Sequence, residues 1–225
     1  MCDITKYVLA YKVKRSQLQR LLPDYFHVCR GVLRFTIEII KDAPWLENHD
    51  CFRIELNCPV RHDDRKGWFN FVTWENCWVN PSKSRDIPIN TAVRADISVL
   101  RSAESTVFTV WSEKGIAPFL TLELDVDGEV DGPPHEDDTD GTYYYTRANG
   151  NKPEVCYFKR REIITSPREH LKGKFNWDYA EFESIPSKFK RLSMITGLKV
   201  DEVLGSYKVK FHRELNEGSD IEQLF

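Results

Sequence analysis

The sequence has little that would draw it to a nucleic acid or a membrane. Its 225 residues carry a formal charge of −3, with basic residues interleaved among acidic ones, so no positive field gathers phosphates. No uninterrupted apolar run nears the ~20 residues of a membrane-spanning helix. The opening residues 1–6 lack the basic and then apolar pattern of a secretory leader. Its six cysteines (2, 29, 51, 58, 77 and 156) form no CxxC pair, and its six histidines show no H-x-H or H-x-x-x-H spacing. A catalytic zinc is disfavoured on that pattern. In a chain without a leader the cysteines are expected to be reduced thiols of a cytoplasmic protein. What remains is a chain with 41% hydrophobic and 12% aromatic residues, enough for a sizeable core. A single domain over 1–225 is expected.

The most informative stretch runs from Cys51 to Val99. A strand-like run, Phe52 to Val60, sets Glu55 among Ile54, Leu56 and Val60. A charged turn follows, Arg61 to Lys66, closed by Gly67, where a chain can reverse. Trp68-Phe-Asn-Phe-Val-Thr-Trp74 returns as the most aromatic run in the protein, a strand buried on both faces. A second corner, Asn80 to Pro88, leads to an alternating run, Thr91 to Leu100. Three strands joined by polar corners predict an antiparallel meander able to line a pocket.

Elsewhere, Tyr7–Val13 and Gly31–Ile40 read as strands around a short helix, Gln17 to Leu22, with Ser16 as its cap and Pro23 as its stop. Thr106–Ser112 and Ala117–Val126 read as two more. Residues 125–141 hold eight carboxylates among glycines and prolines, which predicts a solvated loop. Asp127-x-Glu129-x-Asp131-Gly132 mimics a calcium loop, but Pro133-Pro134 follow and no helices flank it. Tyr143–Thr146, an Asn-Gly turn at 149–150, and Val155–Phe158 suggest a hairpin. A helix over Lys188–Thr196, a further turn over Val200–Leu204 and a closing strand over Tyr207–Phe211 complete the reading. Roughly ten strands with two or three short helices make an α+β fold, mainly antiparallel sheet and closed or nearly so.

The order of these elements resembles acetoacetate decarboxylase-like proteins. Lys14-Arg-Ser-Gln-Leu-Gln-Arg-Leu-Leu-Pro23 after a strand is similar to that superfamily's opening. Phe52-Arg-Ile-Glu-Leu-Asn-Cys-Pro-Val60 resembles its glutamate-bearing strand, and Gly67–Trp74 the aromatic strand that follows. Ser84-Arg-Asp-Ile-Pro88 resembles the decarboxylases' G-R-E and F-P corner, and the E-L-N strand is similar to an uncharacterised branch. The likeness covers residues 7 to 125. It implies a β-barrel or cone. One departure is plain: the decarboxylases carry a lysine pair after that F-P, one of which forms a Schiff base. Here Ile89 and Asn90 stand there, and neither can form an imine. Lys83, in an exposed-looking corner, substitutes only if the alignment shifts.

The resemblance and the residues together mark a candidate site. Glu55 alternates with apolar neighbours, so it either joins an ion pair, with Arg34, Arg53, Arg85 or Arg94, faces water, or acts as a general acid/base inside the barrel. Arg53 and Asn57 share its face of the strand. Arg85 and Asp86 make a surface salt bridge or hold a substrate carboxylate. Glu55, Arg85 and Asp86 are the catalytic candidates. Arg53, Asn57, Trp68, Asn70, Trp74 and Asn90 are the substrate-binding ones. The expected function is acid/base chemistry on a small oxo- or carboxylic acid without a Schiff-base lysine, with no cofactor and no metal. The alternative is a non-catalytic small-molecule-binding or interaction module on the same barrel. No nucleic acid or membrane partner is expected, and self-association into a homo-oligomer stays open.

Overall fold

Apolar side chains recurring with period two put residues 2–13 and 32–41 into strands. The computed structural model describes residues 2–42, 50–77, 92–111, 118–129, 142–149, 152–159, 162–177, 195, 197–213 and 221–223. Strand β1 (Cys2–Val13) is followed by a single helical turn, α1 (Arg15–Gln19), and a two-residue strand, β2 (His27–Val28). β3 (Val32–Lys41), β4 (Cys51–His62) and β5 (Arg65–Glu75) then run antiparallel to one another, and β1 pairs with β3. The short β6 (Ala92–Arg94) lies parallel to β5, whereas β7 (Asp96–Arg101) pairs away from it with β8 (Ser105–Trp111). β9 (Pro118–Glu129) follows β8, and β10 (Thr142–Asn149) with β11 (Lys152–Lys159) forms the expected hairpin. β12 (Glu162–Ile164), β13 (Glu169–Trp177), β14 (Val200–Arg213) and β15 (Ile221–Gln223) complete the chain.

All fifteen strands belong to one sheet whose main path is β15-β11-β10-β5-β4-β3-β1-β14-β13-β9-β8-β7. β12 lies two residues beyond β11 and pairs with β14. The run β14-β1-β3-β4-β5-β10-β11 therefore returns to β14 through β12, a nearly closed mixed barrel. The other limb, β13-β9-β8-β7, folds over the barrel's outer face and buries the large apolar core. Tyr7 meets Phe108 with ring centroids 5.3 Å apart, Tyr11 meets Phe175 at 4.6 Å, and Trp74 meets Phe119 and Trp177 at 5.7 and 6.0 Å. Each fully buried side chain among them contributes about 1.5–3 kcal/mol through water exclusion.

Several expectations are corrected by this arrangement. The reversal between β4 and β5 is made at Asp63, whose φ is 49°, and not at Gly67. Gly67 sits within β5, where a Cβ would stand 2.6 Å from Tyr144 Cε2, so its missing side chain lets β10 approach in parallel. The central meander has two antiparallel partners, and its third member, β6, joins β5 in parallel. The helix begins at Arg15, with Lys14 at its cap position and no side-chain cap, so Ser16 lies inside it. Val200–Leu204 is strand, continuous with the predicted Tyr207–Phe211 run. Strand β9 extends through Glu129 into the stretch predicted as loop, and residues 130–141 lie outside the described residues. Of the predicted helix over Lys188–Thr196, only Ile195 is described, and it is helical. Cys51 and Cys77 are joined in a disulfide, so two of the six expected thiols are not thiols. Both flank the β4–β5 hairpin, which brings residues 26 apart in sequence to a Cα separation of 5.5 Å.

Candidate functional site

Strand alternation gives the barrel two faces, and the inner one is unusually polar. Three cross-strand rows lie side by side on β3, β4 and β5: Arg34, Asn57 and Asn70; Thr36, Glu55 and Thr73; Glu38, Arg53 and Glu75. A register shift between Leu56 and Asn57 keeps Asn57 on this face opposite Asn70. Glu55, Glu38, Asn57, Asn70, Thr36 and Thr73 are fully buried, and Arg34 and Arg53 nearly so. A sheet face facing water would not bury them, so the polar row predicted around Glu55 lies inside the barrel.

The charged members are organised in a ladder. Arg53 Nε donates to Glu75 Oε2 at 3.2 Å and its Nη1 lies 3.9 Å from Glu38 Oε2. Arg213 on β14 grips Glu38 with both amino nitrogens, at 3.0 and 2.5 Å, and reaches Glu162 Oε1 at 3.1 Å. Lys6 Nζ closes the ladder on Glu162 Oε2 at 2.6 Å. Burial opposes the charge on Lys6, but Glu162, Tyr143 and Glu38 outweigh it and hold its pKa above the ordinary lysine value. Burial likewise opposes the charge on Glu162, but Lys6 and Arg213 outweigh it and hold the carboxyl below its usual range. Both groups are therefore ionised at neutral pH.

Arg34 stands apart from this ladder. Its guanidinium lies 3.4 Å over the Trp68 ring and donates to the Tyr143 hydroxyl at 3.1 Å. No carboxylate among the described residues pairs with it, and its Nε has no partner. Two near neighbours are also short of partners: Asn57 Nδ2, directly across the strand pair, and Thr36 Oγ1. Asn57 spends its oxygen on Asn70 Nδ2 at 3.0 Å, and Asn70 in turn accepts from Thr73 Oγ1 at 3.2 Å. Tyr145, stacked on Tyr143 at 6.1 Å, donates to Glu55 Oε1 at 3.4 Å.

A cavity of about 90 Å³ opens beside Arg34, walled by Lys6, Trp68, Tyr143 and Glu162 and floored by Tyr207, Val209 and Phe211. A larger open hollow of about 460 Å³ lies between the sheet limbs, with Lys41, Arg101, Lys208 and Lys210 on its rim, and holds none of the predicted site residues.

The structure brings together Arg53, Glu55, Asn57, Trp68 and Asn70 from the predicted set. Trp74 is not with them: it points to the opposite, apolar face, because an even step along β5 from Val72 pairs it with Ile54. Glu55 is not on the cavity wall; it accepts from Tyr145, which stacks on the wall residue Tyr143. Arg94, offered as a partner for Glu55, is exposed on β6. Arg85, Asp86 and Asn90, together with Lys83, lie outside the described residues. Sequence reasoning missed Lys6, Glu38, Glu162, Arg213 and Tyr143. For Glu38 a signal existed: Arg34-x-Thr36-x-Glu38 alternates with Phe35, Ile37 and Ile39 just as Arg53-x-Glu55-x-Asn57 does with its neighbours.

No family model matches the chain, and no curated protein does. Solved structures do. Acetoacetate decarboxylase from Legionella pneumophila superposes with a TM-score of 0.73 at 12% identity, over 99% of this chain and 85% of that one. The enduracididine biosynthesis enzyme MppR, complexed with pyruvate, gives 0.72 at 12% identity, over 100% and 89%. An acetoacetate decarboxylase-like enzyme from Sphingomonas wittichii RW1 gives 0.69 at 15% identity, over 99% and 91%. The nearly closed barrel and the whole-chain superposition agree, and the chain has the acetoacetate decarboxylase-like fold.

Proposed function

We propose that the barrel interior binds a small organic acid, an oxo- or carboxylic acid, with Arg34 as the carboxylate anchor. One observation carries the reading: a buried guanidinium on a cavity wall that no carboxylate among the described residues pairs with, next to two further buried polar atoms without partners among them. A buried cation and unsatisfied donors cost free energy unless something meets them. An anion with two oxygens meets the guanidinium, and the apolar floor takes the remainder of the molecule. A space of that size holds roughly six heavy atoms. That a similarly folded enzyme is complexed with pyruvate is consistent with this size and charge.

The chemistry we propose is acid/base chemistry without an imine. Lys6 reaches the cavity, but its ion pair keeps it an ammonium with no lone pair to attack a carbonyl. Glu55, which accepts from the Tyr145 hydroxyl at 3.4 Å, is the proposed proton acceptor, relayed by that hydroxyl. The locked Lys6–Glu162 pair on the wall favours the second reading, a binding module without turnover, because neither group is poised to exchange a proton at neutral pH. Calorimetric titration with acetate, pyruvate and acetoacetate, followed by an assay for substrate loss, separates the two. Saturable binding that Arg34→Met weakens at least tenfold supports the site. Binding unaffected by that change, or none of the three acids binding, removes it.

A further inference from the structure

The cavity owes three of its lining residues, Glu162, Ile164 and Arg168, to one short segment laid along the edge of β14. Among the described residues this strap, 162–168, is held by a short ladder, a few polar contacts and Arg168 lying 5.4 Å from the Tyr207 ring centroid. Its ladder on β14 is three residues long, Glu162 opposite Arg213, Ile163 opposite His212 and Ile164 opposite Phe211, where β1 pairs with β14 over twelve. Beyond it, the Thr165 amide donates to the Lys210 carbonyl at 2.9 Å and Ser166 Oγ accepts from the Lys210 amide at 2.9 Å. Ile163 and Ile164 remain 48% and 55% exposed, so apolar burial contributes little to seating the strap. Its inward end is instead held by charge: Glu162 sits between Lys6 of β1 and Arg213 of β14, both buried. At its other end, the strap runs into β13, tied to β14 through Glu169 and Lys208 at 2.8 Å.

We infer that residues 162–168 are a gate to the cavity, swinging from the β13 end, with Glu162 as the latch that Lys6 and Arg213 hold shut. The inference rests on the cavity being a ligand site, yet the gate can be tested without a ligand. A polar latch suits this work, since the exposed Ile163 and Ile164 leave little apolar packing to hold the strap permanently.

Phenylglyoxal modification of Arg34, followed by peptide mass spectrometry, reads how often the cavity opens. Exposed Arg94 serves as the control in the same sample. Glu162→Gln should speed Arg34 modification at least fivefold while Arg94 is unchanged, and hydrogen exchange should quicken at 163–165 but not in β1. A second variant, Ile163→Cys with His212→Cys, joins a cross-strand pair into a disulfide and should slow Arg34 modification at least fivefold relative to either single change. Equal Arg34 rates in the locked and unlocked proteins would overturn the gate, and this comparison stands even if Glu162→Gln does not fold. Binding of pyruvate is scored separately. A gate confirmed without any acid binding rejects the proposed function and keeps the gate; unchanged association rates in the locked protein reject the gate and keep the function.

Discussion

Arg34 and Trp68 show how one residue pair sets the character of the site. The guanidinium lies over the indole and is tied to Tyr143, so its remaining donors are fixed in direction before any ligand arrives. Replacing Arg34 by Met keeps an extended side chain on the indole but removes the charge-assisted bonds. Acetate or pyruvate binding should weaken at least tenfold, about 1.4 kcal/mol, by calorimetry, with an unchanged melting temperature. Glu55→Gln keeps an oxygen to accept from Tyr145 and removes the charge. It should leave acetate affinity within threefold and lower any turnover at least a hundredfold, the usual contribution of general acid/base catalysis. Turnover unaffected by that substitution would take Glu55 out of the mechanism. Lys6 gives the third test at this scale. Because its ammonium is held charged, borohydride added with pyruvate or acetoacetate should leave the protein mass unchanged, and a stable adduct on any lysine would show imine chemistry after all.

At the level of elements, the β4–β5 hairpin carries most of the site and is closed at its open end by Cys51–Cys77. The bond lies two residues from Arg53 and from Glu75, so it also steadies one end of the charge ladder. Cross-linking a loop of 26 residues restricts the unfolded chain by roughly 3 kcal/mol. Cys77→Ser should therefore lower the melting temperature by about 6–12 °C in a chain of this size. An unchanged melting temperature would mean the thiols are not joined in solution. Much of this hairpin was legible beforehand: the strand around Glu55, its return through Trp68 and Trp74, and the polar face shared by Arg53, Glu55 and Asn57 all follow from period-two alternation. What alternation does not give is which polar rows face one another. Lys6 lies among Ile4, Thr5 and Tyr7, and its partner Glu162 is 156 residues away, so the pair exists only once β12 meets the barrel. Trp74 was misplaced for a related reason. Aromatics on both faces of β5 leave its inner face undecided until Val72 and Trp74 are seen opposite Leu56 and Ile54. The disulfide was hidden because Cys51 and Cys77 are far apart in sequence, and the hairpin ends alone bring them together.

For the whole molecule, the charge ladder Glu75–Arg53–Glu38–Arg213–Glu162–Lys6 crosses β5, β4, β3, β14, β12 and β1, and so links nearly every wall of the barrel. An apolar barrel of the same shape would be at least as stable, because buried pairs recover little beyond their lost hydration. The ladder instead fixes which strands close on which, and it makes closure sensitive to pH at both extremes. The folded-state pKa of Glu162 lies below its ordinary value of 4.5, so its contribution is complete above that value and is lost as pH falls through the depressed one. The pKa of Lys6 lies above its ordinary 10.5, so its contribution is complete below that value and is lost as pH rises through the raised one. Between the two, stability should be flat as far as this pair decides it. Denaturant unfolding followed from pH 3 to pH 11.5 should show that plateau, with a fall at each end. In Glu162→Gln the acid-side fall should shrink, since its carboxyl no longer titrates. The alkaline fall should shrink too, because Lys6 has lost the largest of the charges that raise its pKa. A variant whose stability profile ran parallel to the parent's at both extremes would show that the Lys6–Glu162 pair does not close the barrel.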